Sequence, residues 1–308
     1  MNSKIELYEA GKKVYSPDMF AVGAANMKHD SVNNIGTIQV PEEQYHGIVT
    51  YDGKPVISQS GLKKFDEDAE TWSAKIPFIR TRPVVLGSLV DCAVLNSEDL
   101  GTYLFPTGKE ALGTTTEGKA LKALSRKQRK EIIKPNEVNQ ILANIHKMSE
   151  DKEVMGMLNG ASTQIQMLDT RHDIGVRGMI DILPSKTSEF GDGICDMKRT
   201  GQFLPAQWRA HVFNMRYHWQ AAMYLDQFNA ICDAHGKPEE KRTKWYFLIC
   251  SSAAPFGCGI NELSEQAIKL GREQYMEAMS KFRRCTQEKE YPNPWKGGMK
   301  TIKTYSEK

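Results

Sequence analysis

The sequence predicts an α/β fold, a central mixed β-sheet flanked by helices and preceded by a mainly helical extension. Three observations carry this. From residue 162 onward, short β-prone runs separated by turn residues ("TQIQMLD", "GVRGMIDILP", "DGICDMKRT") predict three successive antiparallel strands. A wholly apolar run, "TKWYFLICSS" (243–252), reads as a buried strand between two long helical patterns, 205–236 and 263–285. Before residue 160 the apolar residues recur mostly at helical spacing. Strands interleaved with helices and partly antiparallel give a mixed sheet.

Taken in order, residues 1–45 are a leader whose small, polar and Gly/Asn-rich composition specifies little structure. "GIVTYDGKPVIS" (47–58) predicts a hairpin turning at Asp52-Gly53. "SQSGLKKFDEDAETWSAK" (58–75) predicts a helix capped by Ser58 or Ser60, with Leu62, Phe65, Ala69 and Trp72 on one face. In "PVVLGSLVDCAVLNSEDLGTYLF" (83–105), Leu86, Leu89, Val90, Ala93 and Val94 follow helical spacing. Asp91 sits among them, either on the solvent stripe or in a cleft. "GKALKALSRKQRKEIIK" (118–134) carries seven basic residues against Glu131 alone. Such a run is a solvated helix face or a contact to phosphates. Residues 136–158 predict an amphipathic helix. The 205–236 helical region ends at Gly236, and the last helix opens at Ser264 with Glu265 and Gln266 in its first turn. Trp208, Trp219 and Trp245 read as core rather than base-stacking residues. The expected organisation is one domain over 46–295, with a helical half (46–160) and a sheet half (161–295), and a basic tail over 296–308.

Composition bounds the function loosely. The 308 residues are 40% hydrophobic and 26% charged, ordinary for a globular chain. A net charge of +3 neither demands nor excludes a nucleic-acid partner. Six cysteines without a CxxC pair do not make a zinc-ribbon spacing, and reduced thiols are expected. The N-terminus lacks the apolar stretch of a signal peptide, and no run approaches the ~20 apolar residues of a membrane span. A cytoplasmic protein without a membrane partner is expected.

The chemistry concentrates in two neighbouring strands. "RGMIDIL" (177–183) carries Asp181, and "GDGICDMKRT" (191–200) carries Asp196 and Lys198. Strand side chains alternate, so residues 196 and 198 share a face. If the strands are adjacent, Asp181 reaches the same side. Two carboxylates about 4 Å apart repel by roughly 4 kcal/mol at an effective dielectric of 20. A lysine offsets part of this. A divalent cation with hard oxygen ligands, Mg²⁺ or Mn²⁺, offsets it well and activates water toward a phosphoryl group. Downstream, Gln220 and Tyr224 in "YHWQAAMYLD" are one helical turn apart on a common face.

The order D…(D/E)-x-K…Q-x-x-x-Y resembles the RecB/RecE branch of the PD-(D/E)xK nuclease superfamily. "RGMIDILP", "ICDMKRT" and "YHWQAAMYLD" are most similar to its RecE-type, exonuclease VIII-like group. "VISQSGLKKF" resembles that group's I-S-x-S-x-L segment, and "VLGSLVDCAVLNSEDL" its G-[ST]-x-x-H-x-x-x-L helix. The likeness spans roughly residues 45–295. It implies a restriction-endonuclease-like core in which Asp181 and Asp196, with the Met197 backbone carbonyl, bind Mg²⁺, for which Mn²⁺ can substitute. Lys198 would be the catalytic lysine, with Gln220 and Tyr224 bordering the active site. The implied activity is Mg²⁺-dependent hydrolysis of linear double-stranded DNA from the 5′ end. It would leave 3′ single strands for a RecT-type annealing partner, and such enzymes are often phage-encoded rings. Lys127, Arg129, Lys130 and Arg199 are candidate nucleic-acid contacts.

Two positions depart from the family pattern. Asp91 stands where the family helix usually has histidine, and an aspartate there remains a hard metal ligand. Where the family often has a glutamate on the strand before Asp181, this chain offers Ser162, Gln164 or Gln166. The cysteine spacing does not support an iron–sulfur cluster. The alternatives on the same core are an endonuclease or nickase, and a DNA-binding subunit whose nuclease site has decayed.

Overall fold

The computed structural model describes residues 42–294 apart from 52, 77, 78, 96 and 172, together with the strand pair β1 (Tyr8–Glu9) and β2 (Lys12–Lys13). Most of the expected leader and all of the expected 296–308 tail lie outside the described residues.

The first half runs through α1 (Glu42–Gly47) into the hairpin β3 (Thr50–Tyr51) and β4 (Lys54–Ser58), whose turn uses a left-handed Gly53. Ser58 caps α2 (Gln59–Glu67), its hydroxyl accepting the Gly61 N–H at 3.2 Å. The single helix expected over 58–75 is in fact two. Asp68 adopts an extended backbone and caps α3 (Ala69–Ser73) by accepting the Thr71 N–H at 3.0 Å. Next come α4 (Arg82–Leu95), β5 (Tyr103–Leu104), α5 (Thr116–Gln128) and β6 (Glu131–Ile132), with β5 and β6 parallel. The helix expected over 136–158 is also two, α6 (Pro135–Glu150) and α7 (Lys152–Leu158). At the break, the Asp151 carboxylate accepts the N–H groups of Glu153 and Val154. Aspartates at 68 and 151 offer amide N–H groups an acceptor outside the helix, which is why periodicity carried across them while the helix did not.

The second half contains β7 (Ser162–Arg171), β8 (Ile174–Leu183), β9 (Gly193–Thr200), α8 (Pro205–Asn214), α9 (Tyr217–Ala234), β10 (Lys244–Ser251), β11 (Cys258–Leu263) and α10 (Glu265–Glu288). The 205–236 region breaks at Arg216, which is left-handed (φ 57). β7, β8 and β9 are successive and antiparallel as expected. β11 was not anticipated, because the half-polar "CGINEL" of an edge strand lacks a buried-strand signature. The sheet order is β11-β10-β9-β8-β4-β3, with β7 also on β8. β9 and β10 are parallel, so the chain must cross over between them, and α8 and α9 make that crossover.

Helices cover both faces, which explains the uninterrupted apolar run of β10. Trp245, Phe247 and Ile249 enter one core with α2, α8, α9 and α10. Tyr246, Leu248 and Cys250 enter the other with α4, α6 and α7. This is an α/β fold with a mixed central sheet. Among the described residues no helix is long and apolar enough to cross a membrane.

Two contacts fix helix positions. Gly271 of α10 lies against the start of α9, where a β-carbon would overlap the His218 carbonyl oxygen. Gly271→Ala is expected to cost about 1–3 kcal/mol through overpacking, read as a lower urea midpoint. Arg82 of α4 makes a two-pronged contact with Glu137 at the start of α6. Burial alone would raise the Glu137 carboxyl, but Arg82 and the Lys134 N–H outweigh it and lower it. A lowered folded-state value means stability that is present above the unfolded carboxyl range and lost as pH falls through the folded one. Glu137→Gln should therefore cost about 1 kcal/mol at neutral pH, discounted for the exposure of Arg82. The cost should shrink as pH falls through the lowered folded-state carboxyl range and vanish once Glu137 is protonated, measured as chemical denaturation across pH.

Candidate active site

The site begins with a gap in the sheet. Among the described residues β8 and β9 share one pairing, Ile182 with Cys195. Beyond it the strands part. The register set by that pair puts Asp181 across from Asp196. In the gap the Met197 N–H has no strand partner, and the Asp181 carboxylate accepts it at 2.9 Å. A strand amide that would otherwise be orphaned thus draws a carboxylate inward.

Along β9, Ile194, Asp196 and Lys198 share the face toward α9. Asp196 is 3% exposed. Its Oδ1 accepts the Gln220 Nε2–H at 2.6 Å. Its Oδ2 has no aligned hydrogen bond and lies against the Lys198 ammonium. Lys198 Nζ also lies 3.4 Å from the Met197 carbonyl oxygen and 5.1 Å from the centre of the Tyr217 ring.

The charges are mutually dependent. Burial, then the Asp196 charge, push the Asp181 carboxyl well above its usual range, with Asp91 adding to the rise. Lys198 and the Met197 N–H only partly oppose this. Burial by itself would lower Lys198, but Asp196 and Asp181 outweigh it and hold the ammonium well above its ordinary value. Lys198 therefore keeps its proton. Burial, then Asp196 and Asp181, also push up the Tyr224 hydroxyl, which bonds the Met179 backbone. Gly178 makes room for this, since a β-carbon there would crowd the Tyr224 ring and Gln227.

The structure thus brings together Asp181, Asp196, Lys198, Gln220 and Tyr224. Asp91 stands partly buried on α4, and its charge acts on Asp181 and Cys250. Of the three β7 residues offered in place of the family glutamate, Gln164 falls opposite Asp181. It is left-handed (φ 53) and interrupts the otherwise continuous β7–β8 ladder. Tyr217 was not singled out from the sequence. Its only signal was its place three residues before Gln220. Arg199 faces away from Lys198 and is tied into the fold, donating to Asn144 Oδ1 at 3.3 Å and Gln140 Oε1 at 3.1 Å. Lys127 lies in the last turn of α5 and Arg129 and Lys130 just past it, and the charges that act on Asp181 and Lys198 come from other residues.

The donor set suits a hard divalent cation. It comprises carboxylates at 91, 181 and 196 and the Met197 carbonyl, with one buried carboxylate oxygen lacking a hydrogen bond. Among the described residues no three acidic, histidine or cysteine side chains already converge as ligands. Lys198 supplies the countercharge to Asp196 in the arrangement described.

The model of the PDDEXK-like domain of unknown function (DUF3799) matches residues 58–301. Among solved structures, the "Putative exonuclease" from Eubacterium rectale is similar at 14% identity and a TM-score of 0.55, over 87% of this chain and 97% of its own. That likeness establishes the fold. A second structure, SSO0001, matches at 14% identity over 70% of this chain and 83% of its own, but its TM-score of 0.23 carries no argument. No curated protein matches the chain.

Because half-buried Asp181 stands across from buried Asp196 and the two carboxylates oppose each other, Asp181→Asn should melt higher than wild type in EDTA at neutral pH. Mg²⁺ should raise the wild-type melting temperature and leave that of the variant nearly unchanged, read by thermal-shift fluorimetry.

Proposed function

The chain belongs to the PDDEXK-like domain family, and on that premise we propose that it is a metal-dependent deoxyribonuclease of the RecE type. In this reading it is a cytoplasmic exonuclease that resects linear double-stranded DNA 5′ to 3′. It leaves 3′ single strands for a RecT-type annealing partner and assembles as a homo-oligomeric ring. The observation that carries the reading is the meeting of buried Asp196 with half-buried Asp181 and Lys198 at the parting of β8 and β9, with Gln220 bonded to Asp196.

The chemistry is hydrolysis of a phosphodiester: water adds to phosphorus and the bond to one ester oxygen breaks. A cation of the Mg²⁺ class, held by Asp91, Asp181, Asp196 and the Met197 carbonyl, would polarise a phosphoryl oxygen and ease ionisation of water. Lys198 lies as an ammonium against Asp196. That ammonium orients the water and stabilises the negative charge that grows on the phosphoryl oxygens. Gln220 holds Asp196 in one orientation by donating to Oδ1, leaving Oδ2 to face the reacting groups. Tyr217 keeps the Lys198 ammonium over its ring, fixing where that positive charge acts.

A second reading, a DNA-binding subunit with a decayed site, is favoured by Asp91 and by the neutral Gln164 opposite Asp181. A time course on linear duplex DNA, labelled at the 5′ end in one sample and the 3′ end in another, separates the two. With Mg²⁺, label should be lost from one end, and covalently closed circles should survive. Asp196→Ala and Lys198→Ala should lower the rate by roughly 10²–10³-fold or more. Cleaved circles would make the protein an endonuclease, and a folded wild type inert with both Mg²⁺ and Mn²⁺ would make it the decayed subunit.

A further inference from the structure

A second cavity, of about 620 Å³, lies between the start of α4, the N-terminal end of α5 and the start of α6. Pro106, Leu121 and Ile132 give it an apolar floor, and Arg82, Lys122 and Lys134 line it with positive charge. Among the described residues no carboxylate side chain lines it. Arg82 is committed to Glu137, so the charge left for a ligand comes from the lysines. Both are exposed, and the Lys122 ammonium is aimed by its bond to the Gly113 carbonyl oxygen at 3.0 Å. The wall is closely fitted. Gly118 lets residues 112–114 close down on α5, where any β-carbon would overlap the Leu112 carbonyl.

An apolar floor beside paired cations suits a group with an apolar ring and a phosphate, which is a nucleotide. The position of the cavity says which one. Arg82 at the cavity and Asp91 at the carboxylates lie on the same helix. At 1.5 Å per residue they are about 13–14 Å apart along the helix axis and, being two and a half turns apart, on opposite sides of it. A DNA strand rises 3.4 Å per nucleotide, so the path between them is at least about four nucleotides. Resting on the deoxyribonuclease reading, we propose that this cavity is a second nucleotide site that grips the substrate strand at least about four nucleotides from the scissile phosphodiester. It uses Lys122 and Lys134 of the basic 118–134 run and leaves Lys127, Arg129 and Lys130 outside.

Fluorescence anisotropy in EDTA, where no cleavage occurs, tests this across a salt series. The ligands are a labelled single-stranded decanucleotide, a trinucleotide too short to reach both places, and deoxyadenosine monophosphate as the free-nucleotide source. Lys122→Glu/Lys134→Glu is compared with Lys119→Glu/Lys152→Glu, an equal charge change at exposed lysines outside the cavity. The cavity variant should bind the decanucleotide about tenfold more weakly, with a salt slope smaller by about 1.4 for two lost single-strand phosphate contacts. Trinucleotide binding, which engages the cavity without also reaching the carboxylates, should weaken by a smaller factor than decanucleotide binding. A decanucleotide response equal to that of the control overturns the proposal. So does loss of monophosphate binding alone, which would make the cavity a free-nucleotide site, and so does a wild type that fails to bind the decanucleotide. Cleavage of linear DNA with Mg²⁺ is scored in parallel. Cleavage with an unchanged salt slope sinks the strand grip and leaves the nuclease. A changed slope without cleavage supports the grip as DNA binding and sinks the nuclease.

Discussion

The single pairing between β8 and β9 is the constraint from which the site follows. Where the strands part, a backbone N–H is left in the interior, and buried amides must be satisfied. Asp181 satisfies the Met197 amide, and doing so fixes its carboxylate beside Asp196. A buried carboxylate next to another is unfavourable unless positive charge joins it. Lys198 supplies that charge from the same strand, and Gln220 supplies a hydrogen bond from α9. Continuous β8–β9 pairing would have taken up that amide and removed the reason for the cluster.

α9 serves both packing and chemistry. Ala221, Ala222, Met223, Leu225 and Phe228 fill the core beneath the sheet. Gln220, Tyr224 and Gln227 turn toward β8 and β9, where Gln227 donates to the Val176 carbonyl at 2.8 Å. The helix is held at its start and at its middle. Arg216 reaches Asp66 at 2.6 Å, and Arg272 and Tyr275 of α10 bond Asp226. A charged cluster does not stabilise a fold by itself, so the two apolar cores and these ties must hold it in place. Stability given up at a functional site is commonly recovered elsewhere in this way.

The departures at positions 91 and 164 act on the same carboxylate from two sides. Asp91 adds negative charge from α4, while Gln164 brings none from β7. Gln164 also carries a left-handed backbone that a non-glycine residue adopts at a cost, directly opposite Asp181. Strain of this kind persists where the surrounding structure over-determines it. The negative charge around Asp181 therefore comes from the helix side and from β9, not from the strand behind it.

The sequence by itself determined the layers, the three successive strands, the helical faces and the chemistry-bearing pattern of Asp181, Asp196, Lys198, Gln220 and Tyr224. Those are consequences of side-chain period and residue type, which are local properties. It missed the breaks at Asp68, Asp151 and Arg216, because apolar spacing continues past a residue whose backbone or carboxylate ends the helix. It missed β11, because an edge strand need not be apolar. It left Asp91 open between solvent and cleft, since a helix pattern states a face but not what lies opposite. Tertiary structure alone decided that β8 and β9 part after one pair and that Gln164 lies behind Asp181. It also turned Arg199 into the fold and placed Lys122 and Lys134 at a cavity. Each of these depends on which distant segments meet, and register and packing between distant segments are not written in any local pattern.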